Sequence, residues 1–308
     1  MTLSKDNPSN SPLNFRLQHR LRVRWAEVDM QKVVFNPHYL TYFDIAIAQY
    51  WRELALPYEL TLKSLEGDLF VKKATLEYNG SAYFDETLTI CLRCARIGNS
   101  SMQFIGSILR DDQELISGEI VYVFADPVKK ISKPIPPEFK SIISRYEEGA
   151  DVTYLKTGQW HELRADALKL RQEVFVDEQG VPLELEEDEL DASSVHAVLY
   201  NALKLPIATA RLIMPSLDKS KSETLSVSET LGVGKIGRMA VSRELRGTHW
   251  GSRVLLALEE LARTQNIKSI SLHAQCQAKG FYAKHLYLPI GETFEEAGIL
   301  HIEMNKQL

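Results

Sequence analysis

Two stretches of this sequence combine residue types that can open an activated acyl bond. In the first, AEVDMQKVVFNPHYL, a strand-like segment delivers Asp29, and a short loop later Asn36 and Pro37 open an apolar run. Asn is a strong helix N-cap and Pro suits the first helical position, so a helix is predicted to start there. The first turn of a helix exposes N–H groups that lack an intrahelical acceptor, and a thioester carbonyl placed against them has its developing oxyanion stabilised. A nearby carboxylate then supplies the attack. Asp29 fits either as nucleophile, through an acyl-enzyme anhydride, or as general base on water, and both remain open. The structural alternative is a turn aspartate that caps its own loop.

The second stretch, KIGRMAVSRELRGTHWGSRVLLALEEL, reads as a strand, a donor-rich loop and a helix. Successive loop N–H groups and the positive end of the helix can wrap a pyrophosphate, with Arg243 and Arg246 adding charge. By itself that pattern is a weak signal. Three other candidates have bland readings. His38 and Tyr39 are expected to pack the helix and to line a pocket at most, and Asp44 is buried by pattern and expected to bond locally. Cys91 and Cys94 form a lone C-x-x-C in a strand-like run, where an offset of three sends them to opposite faces; without a second pair or spaced histidines they read as packed thiols.

The elements that position these residues follow from periodicity. Leu21, Val23 and Trp25 alternate with Arg20, Arg22 and Arg24, the period of a half-buried strand. His38 to Trp51 is apolar on nearly every side of a helical wheel and is expected to be a central, wrapped helix. Four runs, Val71 to Tyr78, Glu86 to Ile97, Met102 to Arg110 and Glu114 to Phe124, are rich in branched and aromatic residues and punctuated by turn signals. One long helix followed by long strands predicts an antiparallel sheet curled around it. After the Pro-rich segment SKPIPPEFK and a charged stretch the pattern changes. Ala165 to Phe175 reads as helix, His196 to Asn201, Ile207 to Ile213, Ile236 to Val241 and Ser269 to His273 as strands, and Val254 to Gln265 and Gly280 to His285 as helices. The fold class expected is α+β, with a mixed α/β second half. Residues 1–13 are read as a mobile polar tail, 14–148 as the first domain and 149–308 as the second.

With 308 residues, 44% of them apolar, each half can bury its own core. The net charge of −5 gives no basic surplus for nucleic acid or an acidic membrane. No apolar run approaches the roughly 18 residues a spanning helix needs. Three cysteines, an odd count without a signal-peptide pattern, point to a reducing, cytoplasmic setting.

The stretch from Asp29 to Tyr39 resembles the active-site segment of the 4-hydroxybenzoyl-CoA thioesterase-like hotdog family, including its YbgC- and FadM-type members. Asp29 and Val34 match the pattern D-x-x-G-x-V that precedes the helix, with Lys32 in the glycine position, and FNPHYLTYFD follows as it does there. The likeness extends to Tyr78 to Asp85, where Ser81 replaces a frequent Pro, and to Glu119 to Val123, and covers about residues 15–145. It implies a hotdog fold, Asp29 as catalytic carboxylate, the backbone N–H of Asn36 as the group that polarises the carbonyl, and an acyl-CoA substrate. It also implies a site shared by two subunits, hence a homodimer or homotetramer held by this domain, with an acyl carrier protein as a further possible donor of the acyl group.

The second stretch resembles motif A of the GNAT acyltransferases, Q/R-x-x-G-x-G/A, with Arg246 and Gly251 at its ends and His249 at the middle glycine. LRQEVFVDEQGVP, an acidic stretch with Glu186, Asp188, Asp191 and His196, then ATARLI, LHAQ, FYAKHLYLP and FEEAGILHIEM follow the order of the ElaA-type subfamily over about residues 153–306. This implies transfer of an acetyl or acyl group from CoA to an amine, carried by a small molecule or a peptide, without a metal. Met239, Ala240 and Val241 would run beside the pantetheine. Arg246, Gly247, Thr248, His249, Trp250, Gly251 and Ser252 would form the pyrophosphate loop, with His249 itself read as a surface residue. Tyr282 is the matching phenol to reprotonate the thiolate, or it packs on the sheet. The acidic run Glu184 to Asp191 is either a solvated loop or an attractor for a cationic amine. His273 and Gln275 share a strand face and either line the acceptor pocket or pack in the core. The rival to two active domains is one that only senses acyl-CoA or oligomerises the other.

Overall fold

The computed structural model describes residues 15–215 and 232–308. The polar tail expected over residues 1–13 lies outside the described residues. The chain divides into two compact units, the first ending at Val152 and the second beginning at Thr153.

In the first unit, β1 (Leu17–Arg22), β2 (Asp68–Tyr78), β3 (Thr87–Ile97), β4 (Ser101–Arg110) and β5 (Gln113–Ala125) form an antiparallel sheet in the order β1-β3-β4-β5-β2. Helix α1 (Pro37–Glu53) packs on it, with Tyr39, Tyr42, Phe43, Ala46, Ile47, Tyr50 and Trp51 buried. Two glycines make room for that helix. Gly106 on β4 and Gly118 on β5 face each other in register, and a Cβ on either would lie 2.5 or 2.7 Å from the Phe43 ring. The sheet is therefore open where the helix is thickest, and it curls around α1 as the sequence predicts. Short helix α2 (Tyr58–Ser64) follows α1, and α3 (Pro137–Glu147) closes the unit. The stretch of α3 reads from sequence only as a Pro-rich and charged segment. Prolines at its cap and first position start the helix, and Phe139, Ile142, Ile143 and Tyr146 give it a buried stripe. The C-terminal Glu147 of α3 accepts hydrogen bonds from Tyr50 Oη and, at 2.7 Å, from the Cys94 N–H. Cys91 and Cys94 are buried thiols that burial pushes up to about 11 and about 12, which agrees with packing rather than ligation. Two readings need correction: Trp25 leaves the strand and is exposed, and Asp44 is exposed rather than buried.

The second unit is a seven-stranded sheet in the order β11-β12-β10-β9-β8-β7-β6. Its strands are β6 (Thr153–Gln159), β7 (Val195–Asn201), β8 (Pro206–Ile213), β9 (Gly234–Val241), β10 (Ser269–Gln275), β11 (Leu288–Glu296) and β12 (Ile299–Gln307). Helices α4 (Trp160–Arg171) and α5 (Trp250–Thr264) pack on the central strands, and α6 (Lys279–Lys284) follows β10. Buried Gly251, Val254, Leu255, Leu258 and Ala262 give α5 its core-facing stripe. β9 and β10 are the parallel pair, joined at Gly234, Lys235 and Ile236 and then diverging. No helix among the described residues is long and apolar enough to cross a membrane.

Candidate active sites

In the first unit, a 3-10 turn at Trp25–Glu27 carries the chain from β1 to Asp29. Glu27 fixes this turn against α1. Its buried carboxylate accepts from the Arg24 N–H (2.7 Å), from Arg24 Nε (2.7 Å) and from Tyr42 Oη on α1 (2.8 Å), and its carbonyl accepts from the Phe35 N–H (2.9 Å). Burial works to raise the Glu27 pKa, but the bonds from Arg24 and Tyr42 outweigh it and hold the carboxyl below its usual range. Sequence reading missed Glu27, because nothing in its spacing separates it from an exposed turn residue.

Asp29 opens a tight turn in which its carbonyl accepts from the Lys32 N–H and its N–H donates to the Val33 carbonyl, both at 2.9 Å. Its Oδ1 accepts from the Gln31 N–H at 2.8 Å, so the loop-capping alternative is realised at one oxygen. Oδ2 has no partner among the described residues and stays available. Lys32 takes φ +64°, the conformation for which a glycine is the ordinary choice, so lysine preserves the turn instead of distorting it. The turn is pinned by the Val34 N–H to the Ala82 carbonyl, and the Ala82 N–H donates to Tyr39 Oη. Tyr39 is thus a packing residue.

Asp29 and His38, in the first turn of α1, line one open depression of about 530 Å³, together with Ala26, Val28, Met30 and Phe35. Asn36 is not the side-chain cap expected from sequence. Its backbone is already helical (φ −49°, ψ −36°), and its side chain makes no capping bond. The first turn closes instead through the Phe35 and Asn36 carbonyls, which accept from the N–H groups of His38 (2.9 Å) and Tyr39 (3.3 Å). The Asn36 N–H itself has no acceptor among the described residues.

In the second unit, a cavity of about 960 Å³ opens where β9 and β10 part. Met239, Ala240 and Val241 line it from β9. A bulge directs these residues: pairing with β8 passes from Ala240–Thr209 to Gly237–Arg211, and Arg238 between them has φ +52°. Gly247 and Thr248 line the cavity from the loop, and their N–H groups have no acceptor among the described residues. Gly251 brings the first turn of α5 close to β9, since a Cβ there would lie 3.3 Å from Val241 and 3.4 Å from Met239. Arg246 also lines the cavity. Its Nε donates to the Val241 carbonyl and its two terminal nitrogens to the Glu178 carboxylate. Tyr282 donates to Met239 Sδ at 3.5 Å, and burial pushes its phenol up to about 12, so it holds its proton at neutral pH.

Three residues assigned to the loop lie outside the cavity wall. His249 is exposed and its ring lies tilted against that of Trp250, the Trp250 indole is buried, and Ser252 Oγ lies 2.8 Å from His285 Nε2. The acidic run is part solvated loop and part internal ion-pair network: Glu184, Glu187 and Glu189 are exposed, and the other three carboxylates are paired. Glu186 and Asp191 are buried and paired with Arg171, Asp188 and Asp191 are paired with Arg211, and Arg238 adds a bond to Asp188. Burial works to raise Asp191, but the arginine bonds and charges bring it down to about 2. Three arginines remote in sequence neutralise these carboxylates, so their charge is spent within the fold. His273 and Gln275 both line the cavity, which favours the pocket reading over the core. No group of three side chains suited to hold a metal occurs among the described residues.

Residues 23–143 match the family model of the thioesterase-like superfamily, and residues 191–308 that of the acetyltransferase (GNAT) domain. The uncharacterized N-acetyltransferase YjcF of Bacillus subtilis is 37% identical over 142 residues, 46% of this chain and 90% of that protein. Protein ElaA of Escherichia coli is 32% identical over 143 residues, 46% of this chain and 85% of its own. Among solved structures, a 1,4-dihydroxy-2-naphthoyl-CoA thioesterase from Synechocystis aligns with 41% of this chain and 94% of its own at 16% identity and a TM-score of 0.39. Both resemblances read from the sequence are borne out at the level of domains: residues 23–143 carry a thioesterase-like domain, and through its second half the chain belongs to the GNAT acetyltransferases, with YjcF and ElaA.

Proposed function

We propose that the chain is a bifunctional acyl-CoA enzyme, hydrolysing an acyl-CoA thioester in its first domain and transferring an acetyl or acyl group from CoA to an amine in its second. The observation that carries the reading is the cavity between the parting strands β9 and β10, where the edge of β9, two loop N–H groups without acceptors and the Tyr282 phenol converge. A pantetheine arm pairs with Met239 to Val241, its pyrophosphate takes the N–H groups of the loop and the start of α5, and Arg246 exchanges Glu178 for phosphate. Tyr282 protonates the departing thiolate. In the first domain, the free Oδ2 of Asp29 acts as nucleophile or as base on water, and the Asn36 N–H receives the oxyanion.

The first domain also carries the oligomer. β2 is an edge strand, and Phe70, Val71 and Tyr78 along it are exposed, which suits pairing with the same strand of a second copy. We place the protein in the cytoplasm, where its three free cysteines stay reduced.

The test is CoA release across acyl-CoAs of graded length, with and without an amine library that includes a small-molecule and a peptide set. Release without amine is expected to fall by at least about 100-fold in Asp29→Ala, while amine-dependent release is unchanged. Tyr282→Phe is expected to do the reverse. Hydrolysis that survives Asp29→Ala removes the front assignment. CoA binding without release under any condition favours the rival, an acyl-CoA sensor.

A further inference from the structure

The cavity of the second unit also holds charged side chains that the CoA contacts leave unused. His273 Nδ1 on β10 lies 3.0 Å from Glu296 Oε2 at the end of β11, and its Nε2 lies 3.3 Å from Lys235 Nζ on β9. These partners fix the ring protons. A carboxylate only accepts and an ammonium only donates, so Nδ1 carries the hydrogen and Nε2 offers its lone pair. The Phe294 ring meets the imidazole edge to face at 4.8 Å and restrains its plane. Glu296 is held down to about 2, chiefly by the bond from His273, and is a fixed anion at neutral pH. Lys235, His273, Glu296 and His301 all line the cavity that contains Tyr282 and Met239.

An alkylammonium has a pKa near about 10.4 and cannot attack a carbonyl until it loses a proton. An imidazole whose Nε2 lone pair faces an ammonium and whose Nδ1 has a carboxylate behind it is built to take that proton. We propose that His273 is the base for the acceptor amine, that Glu296 is its positioning residue, and that the acceptor presents a primary alkylammonium to Nε2 in the way Lys235 does in the resting site. This rests on the acyltransferase reading above. One ammonium proton passes to Nε2, and the freed nitrogen pair attacks the thioester carbonyl carbon. The C–S bond breaks, and the thiolate takes the Tyr282 proton. The surplus proton on the new amide nitrogen restores the phenol, and the imidazolium gives its proton to water, so each turnover releases one proton.

The charged groups facing His273 are Lys235 from β9, Glu296 from β11, and Glu303, its direct cross-strand partner on β12, with His301 on the same strand. His301 Nδ1 is engaged by the Ile299 carbonyl at 2.8 Å, which leaves His273 as the ring aligned by a carboxylate bond.

The experiment measures amine-dependent CoA release by the full chain, with acetyl-CoA and the primary amines lysine methyl ester and 1,4-diaminobutane, as a function of pH. In His273→Ala, kcat is expected to fall by at least about 100-fold at neutral pH, and the deficit to shrink as pH approaches the amine's own pKa. Glu296→Gln is expected to lower kcat less and to shift the pH profile, with KM for acetyl-CoA unchanged in both variants. His273→Gln, which keeps a polar side chain on this face, must repeat the pH-dependent loss. Wild-type kcat in either histidine variant, or a loss equal at every pH, overturns the assignment while leaving the acyltransferase reading intact. Absence of amine-dependent release by the wild type removes that reading and this inference with it.

Discussion

Lys32 holds φ at +64° with an exposed side chain that has no partner among the described residues. A non-glycine residue in the left-handed region costs roughly 1–2 kcal/mol, and glycine escapes most of that at the expense of a more flexible unfolded chain. Lys32→Gly is therefore expected to stabilise the first unit by about 1 kcal/mol in urea titration and to leave the Asp29 turn intact. The same residue shows what sequence can give at this scale. Asp29 and the helix beyond it are legible, because an acid followed by an Asn-Pro start is a local pattern. The role of Glu27 is not, because its meaning comes from Arg24 and Tyr42 closing around it. Asn36 sits between these cases. It stands at the helix start as expected, but a helical backbone at that residue leaves its side chain without the capping role.

At the scale of elements, periodicity and runs of branched and aromatic residues between turn signals located α1, the four long strands of the first sheet and β7 to β10 of the second to within a few residues, whether the strand is buried on both faces, as β7 and β8 are, or mostly exposed, as β2 is. It failed where the repeat is short and flanked by breakers, or where the strand lies mostly exposed and lacks such a run. Helix α3 is concealed by its prolines, and β11 is exposed along most of its length, so neither half of the usual alternation appears. Gly106 and Gly118 are likewise unreadable as a pair until β4 and β5 are in register. Their consequence is specific. A methyl group on Gly118 would lie 2.7 and 2.9 Å from the Phe43 ring and 3.0 Å from Leu76, so the ring must move within a close-packed core. Gly118→Ala is expected to destabilise the first unit by roughly 1–3 kcal/mol, and Phe43→Leu in the same chain to recover part of that loss. Denaturant midpoints of the single and double variants check both statements.

At the scale of the whole molecule, the two units carry different electrostatic liabilities, and acid should separate them. In the second unit, Asp191 sits at about 2 in the folded state against an ordinary value of 3.8, because the pull of Arg171 and Arg211 exceeds the burial that would raise it. A depressed carboxyl stabilises the fold fully above its unfolded pKa and loses that contribution as pH falls from about 4 toward about 2. The loss is on the order of 2 kcal/mol at the 1.36 kcal/mol per pKa step that links the two scales. Asp188, lowered against its own burial by Arg211, and Glu296, held down to about 2 by His273, act in the same direction, while Glu186 and Glu173, raised by burial, oppose them. In the first unit Glu147 is raised by burial, so proton uptake there favours the fold as pH falls, while the lowered Glu27 opposes it. Acidification from neutral pH toward pH 3 is therefore expected to weaken the second unit ahead of the first. Hydrogen exchange resolves the units: amides of β7 and β8 should lose protection before those of β3 and β4. Asp191→Asn should lower stability at neutral pH and flatten the acid dependence. Equal loss of protection in both units, or an unchanged acid slope in Asp191→Asn, would show that the arginine network does not set the acid limit of the second domain.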